Sequence, residues 1–312
     1  MAYETKPAPF TDPDVTAKGE TRARVGLTGL KTLWFNTGTL CNIECANCYI
    51  ESSPTNDRLV YLEPSDVAHF LDEIAELGEP TEEIGFTGGE PFLNPNMIAM
   101  ARLCLERGLR TLILTNAMRP MMRPSVRDGL LALKAEFGDL LTLRISIDHH
   151  TADLHDAERG PGAFEKTLDG VRWLAEYGFR VDVAGRTCWG ETDAEARSGY
   201  AKLFQSVGLD LNAEDVERTV LFPEMDEEKA TPEITTACWD ILSVSPDAMM
   251  CASSRMVVKR KGAARATLAA CTLLPYEEEF DFGPSLKTDP RDVSLNHPHC
   301  SRFCVLGGGS CS

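Results

Sequence analysis

Segments typical of strands and of helices alternate along the chain from residue 31 to residue 208, and this alternation limits the possible folds. Short segments rich in β-branched and aromatic residues are followed by longer amphipathic segments. Five strand-helix pairs are predicted, at residues 31–38 and 63–78, 83–89 and 94–108, 109–116 and 124–137, 140–148 and 162–178, and 179–187 and 193–208. Strands that alternate with helices of this length form parallel βαβ units. With a sixth strand near residues 209–216, an α/β fold with a partial (β/α)6 TIM-like barrel is predicted.

The domain organisation follows from where this alternation begins and ends. The chain has 312 residues, which is enough for one barrel and an appendage. Residues 1–28 are polar and rich in Pro and Thr, and they are interpreted as an N-terminal tail or strap. The alternation stops after about residue 220 and cysteines return, so a boundary is predicted near residue 240. The barrel then occupies residues 29–240, and residues 241–312 form a small Cys-rich C-terminal extension.

Charge and hydropathy argue against several classes of partner. The formal net charge is -17, which repels nucleic acid, and the basic segment at residues 257–265 is equally well explained as a turn. No uninterrupted apolar run approaches the ~20 residues that a membrane helix needs. The N-terminus lacks the pattern of a signal peptide, so a cytoplasmic protein without a membrane partner is expected. In that compartment the 11 cysteines are interpreted as metal ligands or redox groups.

Three of these cysteines, Cys41, Cys45 and Cys48, lie within eight positions. Their spacing is that of one helix face, where cysteine is a common small hydrophobe, but the flanking Asn, Gly and Pro residues disfavour a helix. A zinc site normally has four ligands in paired C-x2-C units. Three thiolates instead suit a [4Fe-4S] cluster, which accepts one thiolate per iron and keeps one iron open to another ligand.

The arrangement C-x3-C-x2-C followed by Tyr49, directly after the first barrel strand, resembles the signature of the radical S-adenosylmethionine (radical SAM) superfamily. Four further segments resemble motifs of that family: GFTGGEP at residues 85–91, LTN at 114–116, SID at 146–148 and HDAERGPGAFEKTL at 155–168. These matches span roughly residues 31–190. The resemblance implies contacts with SAM from Tyr49, Gly88, Gly89, Glu90, Pro91, Asn116, Ser146, Asp148 and Arg159.

The resemblance also implies individual roles for these residues. The Gly-Gly turn would meet the methionyl ammonium of SAM, because glycine lets a ligand approach the main chain closely. A bulky residue at Gly89 is therefore expected to weaken SAM binding more than it reduces cluster content. Arg159 would clamp the methionyl carboxylate, with an ordinary salt bridge as the alternative. Asp148 would contact the ribose together with Ser146, or would instead cap the loop that follows it.

Three nearby histidines, His149, His150 and His155, suggest a metal site by composition alone. Histidines that face solvent on a loop are commoner, and these three are interpreted in that way rather than as ligands.

The cysteines after residue 240 form a second group. Residues 251–271 are predicted as a hairpin that begins and ends with Cys, and a Cys-rich tail follows at residues 297–311. This order resembles the SPASM or shorter twitch extension of radical SAM enzymes, which binds auxiliary iron-sulfur clusters. The tail has fewer cysteines than SPASM, enough for one [4Fe-4S] cluster. The expected ligands are Cys251, Cys271, Cys300 and Cys304, with Cys311 as an alternative to the last; a structural zinc that uses His297 or His299 stays open.

The activity implied by the resemblance is reductive cleavage of SAM at the first cluster. The 5′-deoxyadenosyl radical would then remove a hydrogen atom from a small molecule in a biosynthetic oxidation or bond formation. The alternatives are a maturase that modifies a peptide or protein delivered by a separate partner, and a non-catalytic iron-sulfur or zinc protein. An electron donor such as flavodoxin or ferredoxin is implied. No protein side chain is assigned as a catalytic group.

Overall fold

The computed structural model describes residues 8–223 and 230–309 of the chain. The strands, in chain order, are β1 (Arg24–Gly26), β2 (Thr32–Asn36), β3 (Glu83–Thr87), β4 (Arg110–Thr115), β5 (Leu141–Ser146), β6 (Arg180–Arg186), β7 (Thr219–Phe222), β8 (Ser254–Val258), β9 (Thr267–Ala269) and β10 (Asp292–Ser294). The α-helices are α1 (Pro64–Leu77), α2 (Met97–Glu106), α3 (Pro124–Phe137), α4 (Ala152–Arg159), α5 (Ala163–Glu176), α6 (Asp193–Val207) and α7 (Cys238–Leu242), and a π-helix spans Cys300–Leu306.

The main sheet has the order β7-β6-β5-β4-β3-β2-β8-β9. Every neighbouring pair from β7 to β8 is parallel, and β9 alone among these eight strands runs antiparallel to its neighbour. The predicted α/β class and partial barrel are therefore confirmed. The helices α1 to α6 connect successive parallel strands, and all of these strands direct their carboxyl ends to the same edge of the sheet.

The helix boundaries follow from local signals in the sequence. Helix α1 begins at a capping box in which Glu63 and Asp66 exchange side-chain and backbone hydrogen bonds, with Pro64 in the first turn. It ends at Gly78, which adopts a left-handed conformation with φ 65°. Its Phe70 ring packs edge-on to Phe35 of β2, at 6.4 Å between ring centroids. Burying this apolar face contributes about 1.5–3 kcal/mol per large side chain.

The sixth barrel strand lies later in the chain than predicted. Residues 209–216 bury alternate apolar side chains but form no strand, and β7 begins only at Thr219. The side chains of Asn212 and Asp215 accept hydrogen bonds from the backbone N–H groups of Glu214 and Glu217, each at 3.1 Å. These side-chain bonds stabilise a turn where the apolar alternation indicated a strand.

The C-terminal region continues the main sheet. The predicted hairpin is present as β8 and β9, and β8 pairs in parallel with β2, with Ser254 opposite Thr32. The main sheet therefore contains strands from both sides of residue 240, near which a domain boundary is predicted. Beyond the sheet, a second apolar core surrounds the cysteines of this region and includes Val25 of β1.

The segment that precedes the barrel packs on the C-terminal region. Strand β1 pairs antiparallel with β10. Arg22 is 1% exposed, and its guanidinium lies 2.6 Å from Glu233 and donates to the backbone oxygen of Leu295 at 3.3 Å. These contacts hold the segment around Arg22 against the C-terminal extension, as the predicted strap would be. Within the described residues, no helix has the length and apolar character that crossing a membrane requires.

Candidate functional site

The three clustered cysteines lie on the loop between β2 and α1, and residues 41–48 are called the cysteine loop below. The loop forms turns and bends without a helix, as the flanking residues predicted. Cys41 is buried, whereas Cys45 and Cys48 are half-buried. The backbone N–H of Ala46 donates to the backbone oxygen of Glu158 at 2.8 Å, which ties the loop to the end of α4. The three thiols are thereby presented at the carboxyl edge of the sheet.

Two glycines after β3 hold the start of this loop. Gly89 N–H donates to the backbone oxygen of Gly38 at 2.8 Å. A Cβ at Gly89 would lie 2.2 Å from the backbone oxygen of Leu40, and one at Gly88 would lie 2.5 Å from that of Gly38. Gly88 also has a φ of 131°, which favours glycine. Both positions therefore need glycine because the backbone that leads into the cysteine loop passes very close to them. Any ligand that the two glycines contact would add to this requirement.

Glu90 and Pro91 lie behind this turn and do not line the cavity described below. The Glu90 side chain is 1% exposed and accepts hydrogen bonds from Thr115 Oγ1 at 2.8 Å, Asn116 N at 2.9 Å and Phe92 N at 3.1 Å. Burial raises the pKa of Glu90, and these hydrogen bonds oppose the rise. In this structure the glutamate joins the ends of β3 and β4, a role that its motif did not indicate.

Asn116 follows β4 and lies beside the cysteine loop. Its Nδ2 donates to Asn42 Oδ1 at 2.9 Å and lies 4.0 Å from Cys41 Sγ. Ser146 is the last residue of β5 and is half-buried at the same edge of the sheet. The structure thus brings these two predicted residues to the predicted site.

Asp148 and Arg159 form a two-pronged ion pair at this edge. Arg159 Nε and Nη2 donate to the two Asp148 carboxylate oxygens at 2.6 and 2.9 Å, and both side chains are largely buried. Burial alone would raise the pKa of Asp148, but the adjacent guanidinium outweighs burial and holds that pKa below its usual value. The salt bridge that was the alternative for Arg159 is therefore present, and the guanidinium still lines the cavity.

Replacing Asp148 by Asn is expected to lower the free energy of unfolding by about 3 kcal/mol, because the change leaves the Arg159 charge buried without a counter-ion. The measurement is urea unfolding followed by circular dichroism. Asp169→Asn is the matched control, since Asp169 pairs with Arg172 at 3.0 Å but both side chains are about half exposed or more. Exposed pairs contribute little, so the control should be close to the parent. Equal losses in both variants would contradict a special role for the buried pair.

These residues surround one cavity of about 170 Å³, called the barrel cavity below. Its lining includes ten of the residues predicted from the sequence: Cys41, Cys45, Cys48, Tyr49, Gly88, Gly89, Asn116, Ser146, Asp148 and Arg159. The C-terminal region contributes Leu273 and Phe303 to the wall. Both are almost fully buried, so apolar side chains from the extension close part of the barrel mouth.

Two cavity residues that the sequence reasoning missed are Glu158 and Arg186. Glu158 accepts hydrogen bonds from Asn47 Nδ2 at 2.9 Å and from Arg186 Nη1 at 3.0 Å. Glu158 precedes Arg159 in the segment already singled out, and Arg186 ends a predicted strand, so both positions carried a usable signal. Both Arg186 and Ser52 line the cavity, and in the described structure the buried atoms Arg186 Nε and Ser52 Oγ have no hydrogen-bond partner.

The thiols of the cysteine loop suit a cluster better than a single ion. Burial raises the pKa of Cys41 to about 12 and that of Cys45 to about 11, so both are neutral thiols unless a cation displaces their protons. In the described part of the chain, no three cysteine sulfurs all lie within 4.8 Å of one another, so a bound metal would draw them together. Three thiolates suit a [4Fe-4S] cluster, which takes one per iron, whereas a structural zinc ion takes four ligands.

Four cysteines of the C-terminal region line a second cavity: Cys251, Cys271, Cys300 and Cys304. Cys300 and Cys304 lie about one turn apart on the π-helix, a rare helix type that is frequent at functional sites. His299 also lines this cavity, whereas His297 does not. The alternative ligand Cys311 lies outside the described residues.

The interpretation of the histidines as solvent-facing is wrong. His149 is 4% exposed and His155 is 0% exposed, and His150 is half-buried. His149 Nε2 lies 2.5 Å from Glu191 Oε2, and the His155 ring packs edge-on to Phe164 with ring centroids 5.4 Å apart. Partners from the following elements bury these rings, and the local sequence gives no sign of such partners.

Solved structures of similar fold were found by comparison. The structure of Streptococcus suis SuiB bound to S-adenosylmethionine has a TM-score of 0.56 and 14% identity, over 82% of this chain and 63% of that chain. The structure of anSMEcpe with bound AdoMet has a TM-score of 0.56 and 14% identity, over 83% of this chain and 77% of that chain. At this identity the likeness concerns the fold, and it agrees with a partial barrel that carries a C-terminal extension.

Sequence relatives match a little less than half of the chain. An AdoMet-dependent heme synthase of Methanosarcina barkeri is 33% identical over 46% of this chain and 39% of its own length. The subtilosin biosynthesis protein AlbA of Bacillus subtilis is 32% identical over 46% of this chain and 30% of its own. The mycofactocin maturase MftC of Mycobacterium tuberculosis is 27% identical over 45% of this chain and 33% of its own. The chain thus matches less than half of the length of each relative.

The family comparison covers the region that contains the cysteine loop and most residues that line the barrel cavity. The sequence profile of the Radical SAM superfamily matches residues 35–197, which is more than half of the 312-residue chain. The match includes the three loop cysteines, the Gly-Gly turn and the pair formed by Asp148 and Arg159. The chain belongs to the radical SAM superfamily.

Proposed function

We propose that this chain is a radical SAM enzyme of the oxidoreductase type that removes a hydrogen atom from a small molecule in a biosynthetic reaction. Members of the superfamily bind a [4Fe-4S] cluster and SAM, and this chain binds both as a member of that superfamily. The observation that carries the proposal is the barrel cavity, where the three loop thiols, the Gly-Gly turn and the Asp148–Arg159 pair share one wall. In this proposal Cys41, Cys45 and Cys48 are the cluster ligands.

The chain's own residues supply binding, orientation and exclusion of water. When bound, the reduced cluster and SAM supply a 5′-deoxyadenosyl radical that takes hydrogen from an unactivated carbon. Asn116 and Ser146 offer polar groups at the carboxyl ends of β4 and β5 to hold the SAM molecule. Leu273 and Phe303 cover the cavity with apolar surface, which keeps water away from a reactive species.

Arg186 is the cavity residue that indicates the chemistry of the substrate. The unpartnered Nε–H of Arg186 is a donor for an oxygen acceptor, because Glu158 occupies only the Nη1 side of that guanidinium. A substrate with a carboxylate or carbonyl group near its reacting carbon would fit this donor.

A peptide substrate is the second candidate, and the names of the similar proteins favour it. AlbA is a bacteriocin biosynthesis protein, MftC is a maturase, and one SuiB structure contains the precursor peptide SuiA. The two candidates are separated by adding a small-molecule extract or a peptide fraction of the source cells to the enzyme. Faster SAM consumption with the first fraction alone supports the small molecule, and faster consumption with the second alone supports the peptide.

An auxiliary [4Fe-4S] cluster at Cys251, Cys271, Cys300 and Cys304 is part of the proposal. All four thiols line one cavity whose other lining residues are apolar except His299, and Cys251, Cys271 and Cys300 are each 8% exposed. The gap between them, about 20 Å³, holds roughly one water-sized sphere, so cluster binding requires neighbouring side chains to move.

Replacing Cys271 by Ser is expected to lower iron from about eight to about four per chain while SAM is still cleaved, because only the auxiliary ligand set is broken. Iron and acid-labile sulfide are measured together with 5′-deoxyadenosine. Cys238→Ser is the matched control, since Cys238 lies in the same region but does not line the second cavity. Unchanged iron in Cys271→Ser would contradict the auxiliary cluster.

The test of the whole proposal is iron, zinc and sulfide per chain after anaerobic reconstitution, with SAM cleavage measured alongside. About eight irons with 5′-deoxyadenosine formation supports both clusters. About four irons and one zinc, with cleavage retained, supports the radical enzyme with a structural C-terminal metal. Iron without cleavage would favour a non-catalytic iron-sulfur protein and overturn the proposed function.

A further inference from the structure

We propose that His149, His150 and Glu191 form a binding site for a divalent transition metal, separate from both cysteine sites. Among the residues that the structure describes, they are the one set of three or more His, Cys, Asp or Glu side chains whose ligand atoms all lie within 4.8 Å of one another. His149 Nε2 lies 2.5 Å from Glu191 Oε2, and His150 Nδ1 lies 3.9 Å from Glu191 Oε1. Two imidazole nitrogens and a carboxylate therefore converge on one point.

One nitrogen of the His150 ring has no hydrogen-bond partner in the described structure. Its Nδ1 atom is buried and has no hydrogen-bond partner within the described structure, although it faces the Glu191 carboxylate. The ring is held in place because it packs edge-on to Tyr200, at 5.7 Å between centroids, and against Gly199. A buried polar atom without a hydrogen-bond partner is unfavourable. A metal ion bound to Nδ1 would remove that cost.

Thr151 and Glu191 fix the orientation of the His149 ring. The backbone N–H of Thr151 donates to His149 Nδ1 at 3.0 Å, so Nε2 carries the proton toward Glu191 Oε2. Metal binding at Nε2 would move the ring proton to Nδ1, where Thr151 Oγ1, at 2.8 Å, can accept it. The Trp189 ring packs edge-on to the His149 ring at 4.9 Å between centroids and shields it from solvent. The His149 side chain is 5% exposed and that of Glu191 is 17% exposed, so few waters compete as ligands.

The donor set indicates the class of metal. Two histidines and one glutamate form a ligand set used by zinc in proteins, and imidazole also suits other late first-row divalent ions. The absence of sulfur from this set distinguishes it chemically from the cysteine sites. The histidines follow β5 and Glu191 follows β6, so the ion would cross-link two loops at the rim of the barrel cavity, next to Asp148.

The test uses the iron-loaded protein, in which iron occupies the cysteines, and zinc chloride as the probe. After dialysis against micromolar zinc, we expect about one zinc per chain with unchanged iron. X-ray absorption at the zinc edge should show N/O neighbours near 2.0–2.1 Å and none at the Zn–S distance of about 2.3 Å. This readout does not depend on SAM cleavage, so it stands or fails independently of the proposed function.

Glu191→Gln and His150→Gln should each weaken zinc binding by at least about tenfold, because each removes one ligand with little change in size. His69→Gln is the matched control, since His69 also pairs with a glutamate, Glu73, at 3.6 Å, but without a second histidine. The control should bind zinc like the parent. No bound zinc, sulfur neighbours around it, or equal binding in Glu191→Gln would each overturn the proposal.

Discussion

Replacing Cys45 by Ala should reduce SAM cleavage to the background of the assay while the barrel remains folded. The same result is expected for Cys41 and Cys48, because a cluster held by three thiolates loses one third of its protein ligands with each replacement. Folding should survive because the cysteine loop is held by its backbone, including the bond from Ala46 N–H to the Glu158 carbonyl, rather than by the sulfurs. Cleavage of SAM is followed by chromatography of 5′-deoxyadenosine, and folding by far-ultraviolet circular dichroism.

Cys104→Ala is the matched control for these three variants. Cys104 is also a buried thiol, at 0% exposure on α2, but it packs in the main core and its Sγ only donates to the Met100 carbonyl. The control should keep its iron and its SAM cleavage, with at most a small loss of stability. Full turnover in Cys45→Ala, or equal loss in Cys104→Ala, would contradict the assignment of the cluster to the cysteine loop.

The barrel was predictable from the sequence because both of its periodic signals are local. Each strand of the main sheet from β2 to β6 is mostly buried, and the helices that follow have one apolar face, with clear caps on α1 at Glu63 and Gly78. The later strands were harder for a physical reason. The pairing of β8 with β2 joins residues more than 200 positions apart, and the apolar run in β8 is the same for a hairpin as for a buried parallel strand.

The site residues could be predicted from the sequence where their position at the end of a strand determines which edge of the sheet they occupy. Gly88, Asn116, Ser146 and Asp148 all follow or end neighbouring parallel strands, so the fold alone brings them to one edge. The direction of a side chain could not be predicted in the same way. Glu90 turns away from the cavity because Thr115, Asn116 N–H and Phe92 N–H bind its carboxylate, and the first two of these partners belong to the end of another strand, β4.

The buried histidines show the same limit. A His-His-Thr stretch after a strand is polar and typical of an exposed loop. Glu191, which pairs with His149, is 42 positions further along the chain, and Trp189 and Tyr200 complete the enclosure. Only the three-dimensional arrangement of the two loops reveals that these imidazoles are buried and close to a carboxylate.

Replacing Gly89 by Ala should lower cluster content and SAM binding together. The sequence alone suggested that a larger residue here would affect SAM first, because the turn was expected to meet only the ligand. The structure places the backbone oxygen of Leu40 at 2.2 Å from the added Cβ, a distance at which the neighbour has to move. Leu40 directly precedes Cys41, so the shift passes into the cysteine loop. We therefore expect a clear loss of iron on reconstitution, followed by loss of SAM cleavage in proportion.

Gly26→Ala separates this effect from a general cost of changing glycine. The nearest atom to a Cβ at Gly26 is 3.9 Å away, which is ordinary contact, and its backbone does not require glycine. Iron content and SAM affinity are measured on both variants after identical reconstitution. If Gly89→Ala kept its full iron content but bound SAM weakly, contact with SAM would be the reason that this position needs glycine. Loss of iron in Gly89→Ala alone would show that the turn after β3 positions the loop that carries the cluster ligands.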